Sequence, residues 1–158
     1  MLVFNYDKSA AARYGAHMTR VCIIEDDEAT RDTVRDLLVD AGYDVVTADN
    51  GLAGHNMLVS SLERLIVVLD HKLPKLDGCD LLEIVANDER LRARHSFVFM
   101  TASPKRALED CEEALEELDV PLVPKPFDID ELVEAVREAE QRLVPVAERS
   151  GEHPRQGE

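Results

Sequence analysis

The strongest constraint on this chain is a run of five apolar residues at 65–69 that leads directly into one carboxylate, Asp70. A short apolar run that is rich in β-branched residues and bounded by polar and turn residues is typical of a strand buried on both faces. A parallel strand of this kind delivers the next residue to the carboxyl edge of a sheet, where α/β proteins bind ligands. Turn residues follow at 73–74 and 77–78. The sequence therefore predicts Asp70 at the tip of a central strand.

Four further short apolar segments, at 21–24, 43–48, 97–100 and 120–123, alternate with segments that have helical periodicity. Buried strands joined by helices form a parallel sheet with helices on both faces. Pro121 and Pro124 place the fifth strand at an edge, because proline lacks the N–H donor that a central strand needs. Residues 87–95 are expected to form a polar connection. The apolar stripe of the first helix is expected to consist of Val34, Leu37, Leu38 and Ala41.

Four of the predicted strands end in residues that are able to do chemistry. These are the acids Glu25, Asp26 and Asp27, the carboxylate of Asp70, the hydroxyl of Thr101 and the amine of Lys125. The ends of parallel strands lie on one edge of a sheet, so groups from distant parts of the chain are expected to meet there. Several carboxylates at one point repel each other unless a cation is bound, and oxygen ligands favour Mg²⁺.

Such a set of groups suits the transfer of a phosphoryl group to a carboxylate. The lysine supplies a compact positive charge for a phosphoryl oxygen, and the threonine hydroxyl can donate a hydrogen bond to the same group. Once the lysine and the metal ion neutralise the negative charge of the phosphoryl oxygens, a carboxylate can act as a nucleophile and form an acyl phosphate. Asp70 is the best candidate, because it stands on the central strand between the other contributors.

Four motifs, in this order along the chain, resemble the receiver domain of two-component response regulators. They are Glu25-Asp26, Asp70-x-x-x-Pro74-x-x-Asp77-Gly78, Thr101-Ala102 and Lys125-Pro126-Phe127. Each motif alone is weak evidence, but all four at successive strand ends are highly specific. The resemblance covers residues 19–144. It implies a flavodoxin-like, doubly wound α/β fold, which is a (βα)5 three-layer sandwich with a parallel sheet of strand order 2-1-3-4-5.

The resemblance also implies partners, a cofactor and roles for individual residues. Asp70 accepts a phosphoryl group from a sensor histidine kinase or a phosphotransfer protein. Mg²⁺ is held by Glu25, Asp26, Asp70 and the backbone carbonyl of Lys72, with Asp27 as a neighbouring acid. The phosphoryl group is bound by Thr101, Ala102 and Lys125, and the Lys125–Pro126 bond is cis. Movement of Thr101 shifts an equilibrium of the last two helices and the strand between them. The only catalysis implied is phosphotransfer to Asp70 and slow autodephosphorylation.

One position departs from the family pattern. Receiver domains usually carry an aromatic residue three positions before the lysine, where this chain has Leu122. The usual aromatic switch is therefore not expected, and a degenerate receiver that binds a partner without phosphorylation is an alternative. A phosphatase of the haloacid dehalogenase type is disfavoured. Such an enzyme requires a second acid two residues after its nucleophile, and this chain has Lys72 at that position.

Composition and charge exclude several other classes of protein. A net charge of −15 argues against binding to nucleic acid or to an anionic membrane surface. No apolar run approaches the ~20 residues of a membrane span, and no secretory signal is visible. We therefore expect a cytoplasmic protein. Cys22, Cys79 and Cys111 lack metal-ligand spacing and are expected to be reduced, mostly buried thiols.

Both ends of the chain are expected to lie outside the folded domain. Residues 1–18 lack clean periodicity and are expected to form a disordered arm, in which Gly15-Ala-His-Met18 resembles the scar of recombinant expression. Residues 145–158 are polar and contain Pro and Gly, so we expect a disordered tail. No second domain is predicted after residue 144. The domain is expected to act alone, as a monomer or weak dimer, by phosphorylation-dependent protein binding or phosphorelay. A fragment of a larger regulator or hybrid kinase is the open alternative.

Overall fold

Five parallel strands form the centre of the computed structural model, which describes residues 19–143. The strands are β1 (Arg20–Ile24), β2 (Asp44–Ala48), β3 (Leu65–Asp70), β4 (Ser96–Thr101) and β5 (Leu122–Pro124). Their order in the sheet is β2-β1-β3-β4-β5, so β3 is central and β5 lies at an edge. This confirms the flavodoxin-like architecture and the edge position of the fifth strand. The segments 1–18 and 145–158, predicted to be disordered, lie outside the described residues.

Six helices pack on the sheet within residues 19–143. They are α1 (Glu28–Asp40), α2 (Gly51–Ser60), α3 (Gly78–Ala86), α4 (Glu89–Arg94), α5 (Pro104–Glu117) and α6 (Ile129–Leu143). Helices α1 and α6 cover one face, and α2, α3 and α5 cover the other. Five helices begin with a side chain that accepts a first-turn N–H: Asp27, Asn50, Asp77, Asp88 and Ser103. In this part of the chain, no helix has the length and apolar character needed to cross a membrane.

The central strand is buried on both faces because successive side chains of a strand point in opposite directions. Val67 and Leu69 join the apolar cluster beneath α2, α3 and α5. Ile66 and Val68 join the cluster beneath α1 and α6. All six residues of β3 are buried, including Asp70 at its end. Packing on both sides therefore fixes the position of this carboxylate.

Two local predictions are wrong. Residues 87–95 do not form a simple connection, because Asp88 caps the short helix α4. Leu91 is the only buried residue of α4, so the segment has no apolar stripe that would reveal a helix in the sequence. Ala41 does not belong to the buried stripe of α1. The helix ends at Asp40, and Ala41 is its exposed C-cap.

The cysteines also differ from the prediction of three reduced thiols. Cys79 in α3 and Cys111 in α5 form a disulfide, and their Cα atoms are 5.5 Å apart, within the usual span. Cys22 in β1 is free and fully buried, and burial raises the pKa of its thiol to about 12. The pairing depends on how α3 packs against α5, which the positions of the cysteines in the sequence do not specify.

His95 links the segment before β4 to the start of β3. Its Nδ1 accepts the N–H of Leu65 at 3.1 Å, and its Nε2 lies 3.1 Å from the carbonyl oxygen of Leu58. Only a neutral imidazole can accept at Nδ1 while it donates from Nε2. Burial lowers the pKa of His95 below its ordinary value of 6.5. Protonation of His95 therefore opposes folding.

We expect the free energy of unfolding to fall as the pH drops below 6.5. Below that pH the unfolded chain protonates His95 while the folded chain keeps it neutral, and above it both states are neutral. The contribution reaches at most about 1.4 kcal/mol per pH unit. Urea denaturation over this range should show a shallower loss for His95→Asn, which keeps an acceptor but cannot titrate. His55→Asn, at a partly exposed site, is the matched control. Equal slopes for His95→Asn and the parent protein would contradict this role.

Candidate functional site

The carboxyl ends of β1, β3, β4 and β5 meet at one edge of the sheet, and four of the predicted site residues gather there. Asp70 ends β3, and Glu25 directly follows β1. Lys125 follows β5, and its Nζ lies 2.8 Å from Glu25 Oε2 and 2.9 Å from Asp70 Oδ1. Thr101 ends β4, and its carbonyl oxygen accepts the N–H of Lys125 at 2.8 Å. The parallel topology thus assembles the site from four separate parts of the chain.

The two acids that follow β1 differ in their surroundings. Glu25 is 1% exposed, whereas Asp26 is exposed. Burial raises the pKa of Glu25, although Lys125 and the N–H of Asp27, which donates to Glu25 Oε1 at 3.1 Å, both favour the ionised form. A buried carboxylate of this kind is held in place by its hydrogen bonds, while its exposed neighbour remains open to solvent.

Lys125 neutralises part of the acidic group. Burial favours its uncharged form, but hydrogen bonds to Glu25 and Asp70 outweigh burial and raise the pKa of Lys125 above its usual value. The ammonium group therefore stays charged between the two carboxylates. The Lys125–Pro126 peptide bond is cis, as expected.

The arrangement of acids fits a hard divalent cation. Carboxylate oxygens of Glu25, Asp26 and Asp70 lie within 4.8 Å of one another. Three carboxylates and one ammonium group leave a surplus of negative charge, which a divalent cation can balance. Carboxylate and carbonyl oxygens are the ligands that Mg²⁺ takes in proteins. The donor set at this edge of the sheet is therefore suited to Mg²⁺.

The other predicted site residues lie around this cluster. Asp27 is the N-cap of α1, and its Oδ2 accepts the N–H of Thr30 at 2.9 Å and the hydroxyl at 2.6 Å. These hydrogen bonds lower the pKa of Asp27. Ala102 is exposed immediately after β4. Lys72 is exposed, and its Nζ lies 3.8 Å from Asp110 Oδ2. Asp27 thus has a structural task that accounts for its position beside the acids.

His71 is a buried part of the site that was not among the predicted site residues. The residue is 2% exposed, with Nδ1 3.0 Å from Thr101 Oγ1 and Nε2 3.1 Å from Asp110 Oδ2 in α5. A carboxylate can only accept, so Nε2 donates to Asp110, and Nδ1 is hydrogen-bonded to the Thr101 hydroxyl. Thr101 Oγ1 also accepts the N–H of Ser103 at 3.0 Å. A polar residue directly after the tip of a buried strand is the signal that could have identified His71.

A comparison with known protein families decides what kind of domain this is. A family model described as the response regulator receiver domain matches residues 21–137. The chain belongs to this family. Receiver domains act in two-component signalling as phosphoacceptors, typically bind Mg²⁺, and interact with histidine kinases or phosphotransfer proteins. The family assignment confirms the resemblance on which the predicted site was based.

Two curated relatives and one solved structure illustrate the similarity of this receiver domain to known proteins. It is 33% identical over 142 residues to the DNA-binding dual master transcriptional regulator RpaA of Synechocystis sp., covering 89% of this chain and 57% of that protein. It is 30% identical over 119 residues to sporulation initiation phosphotransferase F of Bacillus subtilis, covering 75% and 90%. The receiver domain of a Pseudomonas aeruginosa PAO1 sensor histidine kinase, with a magnesium ion in its active site cleft, superposes with a TM-score of 0.66. The identity is 19%, and the coverage is 78% of this chain and 98% of that one.

The chain spans about half the length of several curated relatives that it matches, RpaA among them. The structural similarity at 19% identity establishes the fold.

Leu122 stands in β5 where receiver domains usually carry an aromatic residue. It lies opposite Phe99 of β4 and packs, partly buried, against the cluster beneath α2, α3 and α5. A leucine has no ring that could swing between an inward and an outward position. Any conformational response of this receiver to a movement of Thr101 must therefore use contacts other than an aromatic side chain at position 122.

Proposed function

We propose that this receiver is an active phosphoacceptor in which Asp70 takes a phosphoryl group from a phosphohistidine. The donor is a sensor histidine kinase or a phosphotransfer protein. The observation that carries the proposal is the position of Lys125 Nζ, 2.8 Å from Glu25 and 2.9 Å from Asp70, at the tip of the central strand. A fixed carboxylate, a cation beside it and further acids for a divalent ion are what phosphoryl transfer to aspartate requires.

In the proposed reaction, a carboxylate oxygen of Asp70 attacks the phosphorus of the phosphohistidine. The phosphorus–nitrogen bond breaks, its electron pair stays with the departing imidazole, and an acyl phosphate forms at Asp70. Lys125 binds one phosphoryl oxygen, and the Thr101 hydroxyl and the Ala102 N–H donate to the others. Glu25, Asp26, Asp70 and the carbonyl of Lys72 would hold Mg²⁺, which would supply positive charge to the phosphoryl oxygens.

The proposed output begins at Thr101. Its hydroxyl is hydrogen-bonded to His71 at 3.0 Å, so movement of the hydroxyl to a phosphoryl oxygen requires that hydrogen bond to break. The resulting shift passes into α5, β5 and α6, which follow Thr101 in the chain. A net charge of −15 favours a protein partner over nucleic acid. We therefore expect phosphorylation-dependent protein binding or onward phosphorelay. Because histidine kinases draw their phosphate from ATP, the reaction is placed in the cytoplasm.

Leu122 favours one second candidate, a degenerate receiver whose partner binds regardless of phosphorylation. The site residues distinguish the two candidates, because a degenerate receiver has no need of an intact acidic cluster with Lys125 inside it. The two also differ in a simple observable. Partner binding should change with phosphorylation in the first case and stay constant in the second.

Intact-mass measurement after incubation with Mg²⁺ and acetyl phosphate tests the proposal. We expect one added phosphoryl group on the parent protein, none on Asp70→Asn and none when EDTA removes Mg²⁺. Asp40→Asn, an exposed aspartate at the end of α1, is the matched control and should be phosphorylated like the parent. An unmodified parent protein, together with no response to beryllium fluoride, would leave the degenerate receiver as the better account.

A further inference from the structure

The Cys79–Cys111 disulfide joins two elements that both contact His71. Cys79 follows Gly78, whose N–H donates to the carbonyl oxygen of His71 at 3.0 Å. Cys111 follows Asp110, whose carboxylate lies 3.1 Å from His71 Nε2. The disulfide therefore ties the start of α3, which holds the backbone of His71, to the middle of α5, which holds its ring.

His71 connects this disulfide to the hydroxyl that the proposed reaction uses. Its Nδ1 lies 3.0 Å from Thr101 Oγ1, while Asp110 orients the ring from the opposite nitrogen. Thr101 itself is 1% exposed, so few alternative partners are within reach. The chain of contacts Asp110–His71–Thr101 thus ties the Thr101 hydroxyl to the position of α5.

Helix α5 is interrupted at the disulfide, and a groove lies beside it. Cys111 has φ −150° and ψ 39°, which is not helical, so the two halves of α5 are separate segments. A groove of about 440 Å³ between α3 and α5 is lined by Cys111, with Ala86 and Ala114 among its walls. Both cysteines are only 4% exposed, and Cys111 is the one that lines this groove, beside acidic side chains that include Glu109 and Glu113.

We propose that Cys79 and Cys111 are a reversible thiol–disulfide site that controls the phosphorylation of Asp70. The disulfide ties α5 to α3, keeps Asp110 on His71 and retains the Thr101 hydroxyl on the ring. The oxidised form therefore accepts a phosphoryl group more slowly, and the reduced form frees α5 to move. This consequence rests on the proposed phosphoacceptor function, whereas the thiol chemistry does not.

The reaction needs a low-molecular-weight disulfide, such as glutathione disulfide, as the oxidant. One cysteine thiolate attacks a sulfur of the small disulfide, which forms a mixed disulfide with the protein and releases the other half as a small thiolate. The second cysteine then displaces the second small thiol. Two cysteine protons are transferred to the two released thiolates, and the two electrons reduce the small disulfide. Excess small thiol reverses the sequence.

The first arm of the test counts free thiols and does not depend on phosphorylation. The protein is equilibrated in mixtures of reduced and oxidised glutathione, quenched with acid, denatured and alkylated with N-ethylmaleimide. Intact-mass spectrometry then counts the labels. Of the three cysteines, we expect one label in oxidising mixtures, on Cys22, and three in reducing mixtures. Three labels in every mixture, or one label in every mixture, would overturn the reversible site.

The second arm measures phosphorylation by acetyl phosphate with Mg²⁺ as the only added metal ion. We expect the oxidised form to react at least about fivefold more slowly than the reduced form. Cys22→Ala should keep this difference, whereas Cys79→Ala should lose it and match the reduced parent. Equal rates for the two forms would overturn the control of Asp70. If neither form is phosphorylated, the proposed phosphoacceptor function is wrong, and so is its regulation by the disulfide. The thiol count still decides whether the disulfide is reversible.

Discussion

Lys125→Met should slow phosphorylation of Asp70 by at least about a hundredfold, as removal of one preorganised charge from a reacting oxygen does in other enzymes. Lys125 Nζ is the cation that contacts both Glu25 and Asp70, at 2.8 Å and 2.9 Å. The same substitution should tighten Mg²⁺ binding by about tenfold, because it removes a positive charge that competes with the ion for the carboxylates. Both quantities can be measured on one sample, the rate by intact mass and the affinity by calorimetry.

The opposite signs of these two effects separate a role in chemistry from a general loss of structure. Lys105→Met is the matched control, because Lys105 is exposed in the first turn of α5. It should change neither the rate nor the affinity. A Lys125→Met protein that loses Mg²⁺ binding together with phosphorylation would indicate that Lys125 holds the site together and does not act on the phosphoryl group.

Gly78→Ala should destabilise the fold by about 2–3 kcal/mol and also impair the site. A Cβ at residue 78 would overlap the carbonyl oxygen of Asp70 and approach that of His71 to 3.0 Å. The backbone at the tip of β3 must then shift, and with it the carboxylate that the central packing otherwise holds in place. Urea denaturation measures the loss of stability, and the acetyl phosphate assay measures the loss of rate.

An exposed position in the same helix provides the comparison for Gly78→Ala. Glu83 is exposed on the solvent side of α3, so Glu83→Ala should leave both the stability and the phosphorylation rate near those of the parent protein. A Gly78→Ala protein of unchanged stability would show that the turn between β3 and α3 adapts easily. The close approach of Gly78 to Asp70 would then not be what positions the carboxylate.

The main features of the site could be predicted because they depend on strand ends. Each of Glu25, Asp70 and Thr101 sits at or directly after a buried strand, and a parallel sheet has only one carboxyl edge. Apolar runs of this kind are visible in the sequence. The convergence of these groups with Lys125 therefore followed from topology alone.

The contacts that depend on packing between helices could not be predicted. The Cys79–Cys111 disulfide requires α3 and α5 to be neighbours in a particular register. The bonds of His71 to Thr101 and Asp110 require the same packing. Helix α4 was missed for a different reason, because a helix that buries one side chain leaves no periodic pattern.

The most direct test of the central claim is to map the phosphorylated residue chemically. Reduction of the phosphorylated protein with borohydride converts an aspartyl phosphate to homoserine, which peptide mass spectrometry then locates in the chain. The account predicts homoserine at position 70 only, and only in samples that contained Mg²⁺. Homoserine at Asp26 or Asp77, or a phosphate that remains on a histidine, would contradict it.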